Sequence, residues 1–174
     1  ALAEAVATLI QPASMRDDPG LEELFEQTRQ IIAMTRRSPT PVFGAQLSFN
    51  VLPVPLPADP VAAQLRSVLA GAPPVALQIL QGAVFHSVAA SFYVRCAEPT
   101  SLQAFRKALA AHPLLEQAEK PRHLGPVAAA ASDKVLLGAV RKDEATGGFW
   151  LWAPMDNHTG GGAPNAIEIA EAVV

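Results

Sequence analysis

A chain of 174 residues with half of its side chains hydrophobic and 17% charged has the composition of a globular domain, not of a disordered segment. Its formal net charge of −3 leaves no basic footprint for nucleic acid, and no apolar run approaches the roughly 20 residues that span a membrane. The single cysteine, Cys96, cannot form an internal disulfide and fits a reducing cytoplasm. The length suits one domain, or one domain and a piece of another. The opening ALAEAVATLI has no signal-peptide pattern and reads as the continuation of a longer protein.

EAVATLIQPAS (4–14) is expected to be a strand that ends where Pro12 interrupts pairing. MRDDPG then reads as a turn, and Leu21 to about Arg37 as a helix, with Leu21, Leu24, Phe25, Ile31 and Ile32 at helical spacing. Glu22 and Glu23 at its front and Arg36 and Arg37 at its back suit the helix dipole. Residues 38–60 are dense in proline, which predicts a long ordered connection holding one short strand within QLSFNVLP (46–53). Asp59-Pro60 opens a second helix to about Ala70.

VALQILQGAV (75–84) reads as a strand leading into AVFHSVAASFYVR (83–95), whose strict alternation predicts another. Thr100 or Ser101 caps a helix from Leu102 to about Ala111, stopped by His112-Pro113. Past a loosely structured segment, KVLLGAV (134–140) and FWLWAPM (149–155) are expected to form a hairpin. Thr159-Gly160-Gly161-Gly162 precedes a final helix, AIEIAEAVV. Strands joined by short turns imply an α+β fold: a mixed, largely antiparallel sheet with helices packed on one face.

Few residues offer chemistry. His86 falls on the face of its predicted strand shared by Val84, Val88, Ala90, Phe92 and Val94. An imidazole there can act as a general base beside a cleft, or as a core histidine bonded to backbone; periodicity leaves both open. His112 and His123 read as surface residues, and His158 as a loop residue beside the glycine turn. No metal-ligand spacing exists among the four histidines and the cysteine. Neither a P-loop nor a dinucleotide-binding glycine fingerprint is present. The glycine run could let backbone approach an anion at a helix start, or serve only as a hinge.

Taken together, TLIQPAS, GLEELFEQT, FNVLP, VFHSVAASF, SDKVLLGAVRKD with GFWLWAPMDN, and GGGAPNAIEIAEAVV resemble, in order, the carboxy-terminal half of the aspartate-semialdehyde dehydrogenase family. The resemblance implies the carboxy-terminal fold shared with glyceraldehyde-3-phosphate dehydrogenase. It makes His86 the acid/base histidine, Gln11 a substrate-binding residue and Asn157 a cofactor-binding residue. Residues 1–157 would form a substrate and dimerisation domain, and 158–174 a turn and helix that pack on the cofactor domain. It further implies NADP as cofactor of the full-length protein, none bound to this chain alone, a homodimer, a small-molecule substrate and a place in amino-acid biosynthesis. The family's nucleophilic cysteine lies upstream of this sequence, and Cys96 does not match it. Two positions depart from the pattern. Ile79 stands where the family has its substrate-carboxylate arginine, which removes a bidentate anion clamp. The preceding helix offers only Arg66 for the family's glutamate and lysine. Two readings follow: an oxidoreductase substrate domain, or a dimerisation module that has kept the fold and lost the chemistry.

Overall fold

The computed structural model describes residues 1–35, 38–54, 63–64, 67, 73–160, 167 and 170–171. Most of the helix expected from Asp59 to Ala70, including Arg66, and most of the final glycine turn and helix lie outside the described residues.

β1 (Leu2–Gln11) ends at Pro12, and a short 3-10 turn (Ala13–Arg16) leads into α1 (Asp17–Ile32). The helix begins earlier than periodicity suggests, because Pro19 sits in its first turn, where backbone N–H groups have no intrahelical partner. Its buried face is Gly20, Glu23, Leu24 and Gln27, the i, i+3, i+4, i+7 stripe. Gly20 is needed there: a Cβ would lie 2.5 Å from the Ala13 carbonyl oxygen. Leu24 packs with Ala13 and Leu47 in a small core.

The proline-rich connection is held on α1 by buried polar groups. Gln27 accepts from the N–H groups of Leu47 (2.7 Å) and Ser48 (3.0 Å) and donates to the Pro39 carbonyl (2.7 Å). Glu23, also buried, accepts from the N–H groups of Val42 and Phe43. Among its described residues only β2 (Val51–Pro53) pairs as a strand; residues 46–50 turn instead, with Phe49 at φ 59°.

β3 (Val75–Gly82) runs parallel to β1, which requires the crossover that α1 and the connection provide. β4 (Val88–Cys96) is antiparallel to both β1 and β8 (Phe149–Met155), so the main sheet has the order β2-β3-β1-β4-β8-β7. One pair is parallel and the rest antiparallel, which is the mixed sheet expected. α2 (Leu102–Ala110), capped by the Ser101 hydroxyl accepting from the Ala104 N–H at 3.1 Å, packs on one face. Phe105 of α2 stacks on Phe149 with ring centroids 4.2 Å apart, above Ala5, Val94 and Leu151. The opposite face carries Glu4, Val6, Arg95 and Trp150, all exposed.

Two strand expectations need correction. The stretch 83–95 is not one strand: residues 83–87 form a bend and pairing starts at Val88. Ser87 has φ 72°, outside the β region, and the Val84 and Phe85 carbonyls accept from the N–H groups of Ala13 (2.7 Å) and Ser14 (3.0 Å). Nor do 134–140 and 149–155 form a full hairpin. On the side of β8 away from β4 the paired strand is β7 (Arg141–Lys142), whereas β6 (Val135–Leu137) joins β5 (Leu115–Gln117) in a small parallel sheet. The segment expected to be loose also holds a short helix, α3 (Pro126–Ala129). The break after β6 coincides with Gly138, whose N–H donates to the Trp152 carbonyl at 2.7 Å and where a Cβ would sit 3.1 Å from the Trp152 ring. Cys96 is the last residue of β4 and is half-buried.

Candidate functional site

The carboxyl ends of β1, β3 and β8 lie at the same edge of the sheet, because β3 is parallel to β1 and β8 is two antiparallel steps away. This edge gathers Gln11, Gln81, Asp156 and Asn157, and the bend before β4 adds His86 and Ser87.

His86 lies at the apex of that bend, exposed, which removes the reading of a core histidine. The bend is pinned on both sides. Upstream, the carbonyls of Val84 and Phe85 are bound by Ala13 and Ser14, the residues just past Gln11 and Pro12. Downstream, the Ser87 N–H donates to Asn157 Oδ1 at 2.9 Å. Asn157 also joins Ser14, its Nδ2 lying 3.2 Å from the Ser14 hydroxyl. Ser14 and Ser87 are both buried. Three segments distant in sequence thus meet in one polar junction beneath the exposed imidazole.

Gln11 is half-buried and in register with Gln81, whose Nε2 donates to the Gln11 carbonyl at 2.9 Å. The Gln81 side-chain oxygen and the Ser87 hydroxyl are buried with no hydrogen-bond partner. Buried polar atoms in that state are scarce in folded proteins and concentrate where strain or a ligand accounts for them. Ile79, two residues before Gln81, is buried and puts an apolar side chain at the position where the family resemblance implies an arginine.

Asp156 organises the turn after β8. Its carboxylate accepts from the N–H groups of Ala131 (2.6 Å), His158 (2.7 Å) and Thr159 (3.1 Å). Burial alone raises this carboxyl, but the three backbone donors, helped by the nearby His158, outweigh it and hold the group below the ordinary carboxylate range. His158 is exposed, and its ring meets that of His86 edge-on, centroids 5.6 Å apart and planes at 60°. Sequence reasoning missed Gln81 and Asp156. An aspartate directly after a strand and before a glycine turn is a signal for such a side-chain-bonded turn. No group of three or more His, Cys, Asp or Glu side chains that could hold a metal occurs among the described residues.

No family model matches the chain. Among curated proteins, the aspartate-semialdehyde dehydrogenase of Rickettsia bellii (strain RML369-C) is 21% identical over 182 aligned positions, covering 97% of this chain and 54% of that protein. A probable aspartate-semialdehyde dehydrogenase from Pseudomonas aeruginosa superposes with a TM-score of 0.87 at 25% identity, over 98% of this chain and 54% of that one. Curated and structural relatives both point to aspartate-semialdehyde dehydrogenase. Aspartate-semialdehyde dehydrogenase II from Vibrio cholerae, solved with ASA bound, gives a TM-score of 0.84 at 24% identity, covering 98% of this chain and 54% of that chain. At that identity the likeness is one of fold. The chain spans about half the length of the aspartate-semialdehyde dehydrogenases it matches, consistent with a carboxy-terminal domain of the glyceraldehyde-3-phosphate dehydrogenase type. Among the described residues, no helix is long and apolar enough to cross a membrane.

Proposed function

We propose that this chain is the substrate and dimerisation domain, residues 1–157, of an aspartate-semialdehyde dehydrogenase-like oxidoreductase, with 158–174 as the segment that packs on a cofactor domain. The observation that carries the reading is that the strand ends bearing Gln11 and Asn157 and the pinned bend bearing the exposed His86 share one sheet edge. In this reading the Gln11 amide orients the substrate and His86 takes or gives the proton at the reacting carbonyl. NADP, when bound in the full-length protein, supplies the hydride acceptor. Of the residues here, Asn157 suits a place beside it, since its carboxamide keeps one N–H beyond its contacts to Ser14 and Ser87. The thioester-forming cysteine belongs to the half of the relatives that this chain does not cover.

The open sheet face supports dimerisation. Val6 and Trp150 are each 37% exposed there, Trp150 packs against Tyr93 with centroids 5.2 Å apart, and Glu4 pairs with Arg95 at 3.1 Å. A face with exposed aromatic and aliphatic groups between charges suits a second copy. Sedimentation should show a dimer at micromolar concentration, and Trp150→Asp a monomer; a monomeric wild-type chain would count against the idea.

A second reading, a dimerisation module without chemistry, is favoured by one observation: Ile79 is buried in place of the carboxylate-binding arginine. NMR titration separates the two. Aspartate semialdehyde should shift the Gln11 side-chain amide and the His86 ring signals, with an affinity no better than millimolar because the clamp is missing. A dimer whose Gln11 and His86 signals stay fixed supports the module instead.

A further inference from the structure

We propose that Asp156 and Asn157 are positioning residues that set the imidazoles of His86 and His158 edge to face, and that His158 is thereby the second ring the site offers its ligand. The inference rests on the reading of His86 as the acid/base residue and adds to it how that ring is placed and what stands beside it.

The two residues divide the work. Asn157 takes the N–H of Ser87, the residue after His86, at 2.9 Å. Asp156 takes the N–H of His158 itself at 2.7 Å. Each imidazole is therefore fixed at its backbone from the same two-residue step at the end of β8. Both ties are protected from competing water, because Asp156 is 6% exposed and Ser87 is fully buried. Both act on strained or turning backbone. Ser87 has φ 72° and Ala131, another donor to Asp156, has φ 64°. Residues with a Cβ hold that conformation only where surrounding bonds over-determine it. Ser14 links the Asn157 tie to the chain leaving β1, so the placement of both rings is coupled to the strand that carries Gln11.

The consequence is two exposed imidazoles in edge-to-face contact, with centroids 5.6 Å apart. A ligand carrying a carbonyl or carboxylate oxygen can be met from two directions at once. A small oxygen-bearing substrate is thus offered two imidazoles where the buried Ile79 offers no cation.

NMR of the 174-residue chain tests this without any activity. The wild type should show nuclear Overhauser contacts between the His86 and His158 ring protons. Asn157→Ala should abolish them and speed exchange of the Ser87 amide at least tenfold relative to the Phe92 amide in the middle of β4. Asn157→Asp, which keeps an oxygen for the Ser87 N–H, should retain both signatures. Should Asn157→Ala fail to fold, Ser14→Ala removes one tie alone and should still move the His86 ring signals. Unchanged ring contacts and Ser87 exchange in Asn157→Ala, or no ring contact in the wild type, overturns the proposal. Added aspartate semialdehyde separates the two claims. Intact ring placement with no response of His86 to this ligand sinks the acid/base reading and leaves the positioning role standing.

Discussion

Replacing Asp156 with asparagine probes the polar turn on which the candidate site depends. The carboxylate is 6% exposed and accepts three backbone N–H groups, the shortest from Ala131 to Oδ2 at 2.6 Å. Asparagine can keep Oδ1 for His158 and Thr159, but its NH2 group then faces the Ala131 N–H, donor against donor. One charge-assisted hydrogen bond is lost, two others become neutral, and a donor is left unpaired. Together these should cost roughly 2–4 kcal/mol at pH 7. Urea unfolding followed by circular dichroism measures it directly. The pH dependence gives a second check. The folded-state Asp156 carboxyl lies below its ordinary value, against an unfolded aspartate near about 3.9. Between those two values the unfolded chain binds more protons, so the stabilisation is complete above the unfolded value and is lost as pH falls through the folded one. The gap between wild type and Asp156→Asn should therefore shrink as the solution is acidified below about pH 4. A difference under about 0.5 kcal/mol at pH 7, or one that stays constant into strong acid, would refute the reasoning.

Phe149→Ala removes a side chain that is fully buried and stacked on Phe105, and should lower unfolding stability by about 3–5 kcal/mol in the same assay. His86→Ala should cost under ~1 kcal/mol, because the ring is exposed in a bend; a larger loss would mean the imidazole supports the fold. Gln27→Ala strips the N–H groups of Leu47 and Ser48 of their acceptor. It should cost about 2–3 kcal/mol and hasten proteolysis between Pro39 and Asn50, and an unchanged cleavage rate there would show that the clasp is not what orders the connection.

Much of the architecture was legible from local pattern. Pro12 ends β1, the stripe around Leu24 makes α1, and Ser101 caps α2, because each is a contest settled within a few residues. The candidate site was legible in part: Gln11, His86 and Asn157 could be named from sequence motifs, but not how they are held. Alternation alone extends the fourth strand back through His86. The chain instead bends there, because Ala13 and Ser14 claim the carbonyls of Val84 and Phe85 and Asn157 claims the N–H of Ser87. Those partners are 70 or more positions away in sequence, so no local propensity can register them. The same holds for β6, which suits a hairpin by spacing but pairs in parallel with β5, and for the proline-rich connection, which Glu23 and Gln27 order from a neighbouring helix. Local sequence determined which segments could be strands and helices. Tertiary structure decided where their unpaired backbone groups found partners, and at this sheet edge that choice places the imidazole.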